Sequence, residues 1–479
     1  MEGSIDTQQI ARMQRTLERQ RASFAAEGPV GATVRRDRIQ RAIDLLVENE
    51  PALCEALAAD FGHRSRTASR MADIVPSIRS LKYARDNLEL WMAEEPRVLA
   101  EPLAGLGAEA FVVYQPKGVV GNVTPWNAPF NVCFSPLAQI LAAGNRVMIK
   151  PSEHTPHSAG LLESLISRYF DETEAAVFPG GPDVGKAFTA LPFDHLLFTG
   201  SGEVGRHVMA AASGNLVPVT LELGGKSPVI IGRSADLNQA TDRLFNGKML
   251  NAGQICLSPD YALVPRKRQH DVVDKLIAHA EARYPDIHAN PDFTAVLGER
   301  NRRRIDDLIE DARAQGATIV PLDGGRPARA DDIKRPLTLI VGPHDQMRVT
   351  QEEIFGPILP ILPYDDIEQA VAYINARPRP LGLYYFGSDR DEEDYVRGHS
   401  LSGGMTVNDV LMHVTLEQLP FGGIGPSGMG AYHGVDGFKT FSHARAVYRQ
   451  TSVDLAGMSG SRPPFGEKLE KMLDAAITK

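Results

Sequence analysis

Apolar positions three and four apart dominate the first hundred residues. Ile10, Met13 and Leu17 mark one face of the segment MEGSIDTQQIARMQRTLERQRASF, whose remaining positions are mostly polar, and this spacing predicts an amphipathic surface helix. From about 36 to 100 the same period returns, most clearly in RDRIQRAIDLLVENEPALCEALAADFG, which closes on Gly62. At 108–126 the period shortens. AEAFVVYQPKGVVGNVTPW is rich in β-branched and aromatic residues and is broken by Pro116 and Gly118, which predicts two strands joined by a turn.

Strand and helix then alternate. NRVMIKP predicts a strand before a helix from about 155, DHLLFTG a strand before a helix from 202, and VPVTLELGG and SPVIIG two buried strands. Between about 230 and 410, QHDVVDKLIAHAEARY and RRRIDDLIEDARAQG read as helices, and FTAVLG, LTLIVG and ILPILPY as strands. Such alternation predicts an α/β fold of parallel sheets with crossover helices. The tail SGSRPPFGEKLEKMLDAAITK joins loop punctuation to a short helical pattern, expected at the periphery or at a partner contact.

Composition narrows the function classes. At 479 residues and 43% hydrophobic content, the chain exceeds what one compact core accommodates, so two or more domains are expected. A net charge of −9 without a clustered basic face argues against nucleic acid and for a small-molecule partner. The first residues lack the apolar run of a secretory signal, and no stretch reaches the roughly 18–20 apolar residues of a membrane span. The three cysteines, Cys54, Cys133 and Cys256, form no CxxC pair, which makes a disulfide framework or a thiolate zinc site improbable and points to a reducing cytoplasm. HExxH is absent and the thirteen histidines are scattered, so no metal is expected.

Three places carry candidate chemistry. In FTGSGEVGRHVMAAA, Gly200, Gly202 and Gly205 satisfy GxGxxG between a predicted strand and helix, where backbone can approach a pyrophosphate at a helix N-terminus; a plain structural turn fits the same letters. Glu222 in LELGGKSP falls near the place of a ribose-binding acid, yet a glutamate before a Gly-Gly kink equally suits a reaction centre. Lys150 and Glu153 in NRVMIKPSEHTP either hold ribose hydroxyls at a strand end or mark a helix entry capped by Ser152 or Thr155. Cys256 stands apart from Cys54 and Cys133. Those two sit in apolar surroundings that read as core, whereas Cys256 follows Gly253 and Gln254 and precedes Ser258, Pro259 and Asp260, a turn that presents its side chain for nucleophilic work.

TPWNAPF, KPSEHTP, FTGSGEVG, LELGGKSP, NAGQICLSPDY, EEIFGPILP and LPFGGIGPSGMGAYHG occur, from about 30 to 450, in the order and approximate spacing of the aldehyde dehydrogenase superfamily, which the chain resembles. GQICLSPDY, GGMTVNDVLMH and the long glycine-rich stretch from Pro420 look like its class-three branch, and ALAADFGHRS is similar to bacterial coniferyl aldehyde dehydrogenases. The resemblance implies a Rossmann-type dinucleotide-binding domain (1–105 and 122–228), an α/β catalytic domain (229–412), a small oligomerisation β-arm (106–121 and 430–450) and a C-terminal tail (451–479). It implies Cys256 as nucleophile, Asn127 with the Cys256 backbone N–H as oxyanion hole, and Glu222 as activator of the water that hydrolyses a thioester. Lys150 and Glu153 are then expected near the adenosine ribose, Gly200 and Ser201 near the pyrophosphate, and Glu353 with Phe355 near the nicotinamide ribose and ring; Gly202 is not expected as a contact. Asn251 falls in the cysteine motif, where the resemblance suggests support of the loop.

The implied reaction is NAD- or NADP-dependent oxidation of an aldehyde, aromatic and coniferyl-like, to its acid. Coenzyme-independent thiol esterase chemistry and a silent dinucleotide-binding protein are the competing classes. Trp126 and Phe130 either line a substrate funnel or belong to the core. The strand pair at 108–120 read as an exposed hairpin needs cover, which with the family pattern gives an expected homodimer.

Overall fold

A computed structural model describes residues 2–323 and 332–478. The chain divides into two compact units, one of Met1–Trp91 and Pro116–Ser442, the other of Met92–Gln115 and His443–Lys479.

In the first unit, the helical period at the start gives Glu2–Glu27, Ala32–Glu48, Glu50–Phe61 and Val75–Met92. Pro51 sits in the first turn of its helix, where its missing N–H is not needed, and Gly62 ends that helix at φ +76°, the left-handed cap that glycine adopts without a Cβ clash. A π-helical turn, Arg70–Ile74, leads into Val75–Met92. The first helix presents Met13 and Leu17 to a core shared with Val119, Met148 and Leu196. Its Arg12 pairs with Glu163 at 2.7 Å and Glu172 at 3.0 Å, so the expected surface helix is docked along its whole apolar face.

A six-stranded sheet runs in the order Gly428–Met429, Val219–Leu223, His195–Gly200, Val119–Val123, Arg146–Lys150, Ala175–Val177. All neighbours are parallel except the first pair. A seven-stranded sheet follows the order Thr318–Pro321, Thr338–Val341, Ile358–Tyr364, Pro259–Pro265, Ser227–Ile231, Gly382–Phe386, Gly404–Val407, again parallel except at its first pair. Both sheets are covered on two faces, which is why their central strands read as unbroken apolar runs. The chain passes from one sheet to the other through Gly224, Gly225 and Lys226, separated from Glu222 by one residue.

Two expectations are corrected. FTAVLG is not a strand: residues 293–297 form an irregular buried segment. Its backbone is satisfied elsewhere, with Ala295 N donating to His63 O at 2.9 Å, Gln254 Nε2 donating to Ala295 O at 3.1 Å and Leu297 N donating to Gln254 Oε1 at 2.9 Å. A buried loop is tolerable once its polar groups are paired. The strands at 108–126 exist, as Glu109–Pro116 and Val119–Val123, but they are not a hairpin. Val119–Val123 is an interior strand of the six-stranded sheet, and Glu109–Pro116 is the middle strand of a separate sheet.

That separate sheet, in the second unit, orders Glu95–Pro96, Glu109–Pro116 and Ser442–Arg449. The tail supplies two helices, Leu455–Ser459 and Glu467–Ile477, neither with a buried residue.

Candidate active site

A cavity of about 830 Å³ lies at the carboxyl ends of the strands that carry Val123, Lys150, Gly200 and Glu222, the place where open parallel sheets hold ligands. Asn127, Lys150, Glu153, Gly200, Ser201, Glu222, Cys256, Glu353 and Phe355, the nine residues for which the resemblance implies a catalytic or coenzyme-binding role, line it. Trp126 lines it too, its ring edge-on to Phe355 with centroids 5.2 Å apart. Phe130 does not. It is fully buried in the core, so Phe130 cannot line a funnel, while Trp126 stands on the cavity wall.

The loop before Cys256 is conformationally costly. Asn251, Ala252 and Gly253 are consecutive left-handed residues, at φ 51°, 54° and 74°, and such a backbone costs on the order of 1–2 kcal/mol at a non-glycine position. Side chains hold it there. Asn251 Nδ2 donates to Asn127 O at 3.0 Å and to Gln254 O at 3.1 Å, and Asn127 Nδ2 donates to the same Gln254 O at 3.1 Å. Lys248, fully buried, ties the loop's two ends by donating to Pro259 O at 2.8 Å. At Gly253 any Cβ would strike the Gly356 carbonyl, so this glycine lets the cysteine loop pack backbone to backbone on the EEIFGP segment. The thiol of Cys256 is half-buried and faces the cavity; the turn presents it to the cavity, and not to bulk solvent as a fully exposed group.

Burial governs the electrostatics. Glu222 is only 2% exposed, and desolvation pushes its carboxyl up to about 7, with the Cys256 thiol offsetting part of that rise. The thiol itself is raised well above its ordinary value, first by burial and then by the negative charge of Glu222 and Glu353. Glu353 is pushed up to about 8 by burial, then by Asp260, with the Gly225 N–H acting in the opposite direction. The site therefore holds a protonated thiol beside a carboxyl poised near neutrality, the pairing a general base requires.

Glu353 and Phe355 are set by residues that the sequence reading did not single out. Lys226 forms an ion pair with Asp260 and donates to Val349 O and Glu352 O, each at 2.9 Å. Asp260 Oδ1 accepts from Ile354 N at 2.9 Å, and Arg304 donates to Glu353 O at 3.1 Å. Lys226 and Asp260 lie inside LELGGKSP and NAGQICLSPDY, so their only sequence signal was their place in motifs that carry an assigned residue. Gln254, fully buried with both ends of its amide bonded to backbone, carried no signal beyond its place in the cysteine motif.

At the other end of the cavity, Lys150 Nζ lies 3.1 Å from Glu153 Oε2. The capping alternative for this stretch is not realised. Thr155 makes no side-chain cap to Pro156–Tyr169; Asp60 accepts from His157 N and Ser158 N at 2.9 and 2.8 Å instead. Ser201 caps the helix Gly202–Ser213, its Oγ accepting from Val204 N, and Gly200 lies against the Phe198 ring, which a Cβ would strike. Gly202 is absent from the cavity wall and open to a Cβ, so its place in GxGxxG is incidental.

These features fit a dinucleotide. The cavity offers a cation–carboxylate pair, a helix N-terminus and a buried Glu353 whose Oε1 has no hydrogen-bond partner among the described residues. In the dinucleotide's presence Lys150 and Glu153 suit ribose hydroxyls, Gly200 and Ser201 suit phosphate oxygens, and the free oxygen of Glu353 suits a second ribose.

Comparison with known proteins agrees with this geometry. A sequence profile described as "Aldehyde dehydrogenase family" matches residues 3–447. The chain is 50% identical over 470 residues to a probable coniferyl aldehyde dehydrogenase of Caulobacter vibrioides, covering 98% of this chain and 97% of the relative. It is 46% identical over 464 residues to the coniferyl aldehyde dehydrogenase of Pseudomonas sp. strain HR199, covering 96% and 95%. Among solved structures, a substrate-bound Staphylococcus aureus AldH superposes with a TM-score of 0.91 at 34% identity, over 97% of this chain and 99% of that one.

Proposed function

Because the chain belongs to the aldehyde dehydrogenase family and oxidises an aldehyde to the carboxylic acid with NAD or NADP, we propose that its substrate is an aromatic aldehyde of the coniferyl type and that Cys256, Asn127 and Glu222 carry the reaction. The observation that most supports this reading is the meeting of a thiol, a near-neutral carboxyl and a side-chain amide on one cavity wall, with Lys150, Glu153 and Gly200 on the same cavity. Support for the aromatic substrate comes from the two coniferyl aldehyde dehydrogenases described above and from the Trp126–Phe355 pair at the wall.

In this mechanism the Cys256 thiol passes its proton to Glu222 as sulfur bonds to the carbonyl carbon, giving a thiohemiacetal. Asn127 and the Cys256 backbone N–H donate to the resulting oxyanion. Bound in the cavity, nicotinamide supplies the acceptor for the hydride lost from that carbon, since no protein side chain takes one. Glu222 then gives that proton up to solvent; water attacks the thioester left on Cys256 while Glu222 draws off the water's proton, the C–S bond breaks, the acid leaves, and Glu222 returns its proton to the Cys256 thiolate. Lys150 with Glu153, Gly200 with Ser201, and Glu353 with Phe355 hold the coenzyme from its adenosine end to its nicotinamide end.

The test is an absorbance assay of reduced coenzyme with cinnamyl-type, benzyl and aliphatic aldehydes, each with NAD and with NADP. The highest kcat/KM is expected with the cinnamyl type; a clear preference for aliphatic chains would overturn the substrate reading. Ester cleavage without any aldehyde oxidation would favour the hydrolase alternative.

We further propose the domain limits given by the family pattern, a homodimer and a cytoplasmic site of action. Ser442–Arg449 forms an edge of its three-stranded sheet, and an open edge invites pairing with a second copy. Sedimentation at micromolar concentration is expected to give twice the mass of one chain, and a monomer would refute the assembly.

A further inference from the structure

We infer that Asp73, held by Arg64, is a positioning residue for the oxyanion hole, fixing the backbone on which Asn127 rides. The inference rests on the assignment of Asn127 as an oxyanion donor.

Asp73 lies in the π-helical turn Arg70–Ile74 and is completely buried. Its Oδ1 accepts from Phe130 N and from Asn131 N, each at 3.0 Å. Those are the N–H groups of the N-cap residue and the first residue of the helix Asn131–Ala142, three and four residues after Asn127. One oxygen thus pins the exit of the turn whose entry carries the catalytic amide. Asp73 Oδ2 in turn lies 2.8 Å from Arg64 Nη2, and both side chains are fully excluded from solvent.

Stability alone is a poor reason for such a pair. A buried ion pair is commonly matched or exceeded in stability by apolar residues of similar volume, and a neutral Asn or Ser also caps a helix. A carboxylate that takes both N–H groups on one oxygen, with a cation beside its other oxygen, is a stronger tether than a neutral cap, which matters where a donor must meet an oxygen within tenths of an ångström. A π-turn, rare in helices and often found at functional sites, places Asp73 for this task.

The same short loop reaches the other wall of the hole. His63, next to Arg64, accepts from Ala295 N at 2.9 Å through its carbonyl, and its Nε2 lies 2.9 Å from Pro291 O. Ala295 O accepts from Gln254 Nε2, and Gln254 O is the acceptor of the Asn127 amide itself. The segment Gly62–Asp73, part of which lies in the stretch resembling coniferyl aldehyde dehydrogenases, therefore tethers both the amide and the loop of Cys256.

The test uses two readouts at saturating substrate: the first-turnover rate of coenzyme reduction by the aldehyde, and the coenzyme-free burst of nitrophenol from 4-nitrophenyl acetate, with coenzyme Kd measured alongside. Asp73→Ala is expected to slow both readouts by roughly 10- to 100-fold with an unchanged coenzyme Kd. Combined with Asn127→Ala it is expected to add less than about twofold to the loss of Asn127→Ala alone, because the two act through one amide. Should Asp73→Ala fail to fold, Arg64→Met/Asp73→Ala removes both buried charges together and is expected to fold, to show the same loss, and to show the same non-additivity with Asn127→Ala. Full rates in the folded variant, or losses that multiply with that of Asn127→Ala, would overturn the inference. If Asn127→Ala itself leaves both readouts unchanged, the oxyanion assignment falls, and the positioning role with it.

Discussion

The side-chain amide of Asn127 donates to the carbonyl of Gln254 across 3.1 Å, two residues before the cysteine. An amide nitrogen carries two hydrogens, so one anchors the cysteine loop while the other is left for a substrate oxygen. Asn127→Ala removes both at once. The loss of one preorganised donor costs about 3–4 kcal/mol in the transition state, roughly a 10²- to 10³-fold fall in first-turnover rate. Stopped-flow measurement of reduced coenzyme checks it, and a fall confined to KM would show that the amide binds without catalysing.

In the proposed mechanism Glu222 is expected to set the pH dependence. With its carboxyl pushed up to about 7, it is protonated at pH 6 and below, unable to accept the proton of Cys256 or of water, and ionised above pH 8. Activity is expected to rise with pH through about 7 and to lose that inflection in Glu222→Gln. The same variant is expected to accumulate acylated Cys256, visible as a mass increase on the intact protein after one turnover; an unmodified mass with unchanged steady-state rate would exclude Glu222 from the hydrolytic step.

Much of this site was legible in the chain because its parts are local motifs at strand ends. Lys150 and Gly200 follow apolar runs that only buried parallel strands explain, and Cys256 sits between turn-forming residues. What could not be read depends on contacts across the fold. FTAVLG has the letters of a strand, but its hydrogen bonds go to the side chain of Gln254 and to the His63 carbonyl, partners that no local pattern announces. Phe130 and Trp126 are both aromatic neighbours of Asn127, and only the direction of the helix Asn131–Ala142 sends one to the core and the other to the cavity. The charges of Asp73, Lys226 and Asp260 resemble surface charges in sequence; the backbone groups they bond lie 57 to 126 residues away.

Gly224 lies directly against the Glu353 carboxylate: a Cβ at this position would land on its oxygens. Gly224→Ala is therefore expected to displace Glu353 from the cavity wall while leaving Cys256, Glu222 and Asn127 in place. Coenzyme KM is expected to rise on the order of tenfold, about 1.4 kcal/mol, with the coenzyme-free ester burst unchanged. An equal loss in both would locate the damage at the Glu222 strand instead.

The two raised carboxyls also make stability depend on pH. Glu222 and Glu353 have folded values of about 7 and about 8 against an ordinary 4.5, so the folded state binds protons more tightly than the unfolded chain. Their contribution is fully present below pH ~4.5 and is lost as pH rises through about 7 and then about 8. Each pH unit of difference is worth about 1.4 kcal/mol, so for Glu222 the loss is on the order of 3 kcal/mol once it is ionised. Lys248, lowered to about 8 by burial, is charged in both states up to about pH 7.5 and does not disturb that window. His195, His413 and His433, held at about 3, 4 and 4 by burial, act in the opposite direction between about pH 4 and 6.5, so the difference between two proteins isolates Glu222: without coenzyme, Glu222→Gln, whose amide does not ionise, is expected to match the parent Tm at pH 5 and exceed it at pH 7.5 by several degrees. Scanning calorimetry of the two proteins across that range decides the matter: parallel pH profiles would mean that Glu222 titrates as an ordinary solvated carboxyl and cannot be the base that the site requires.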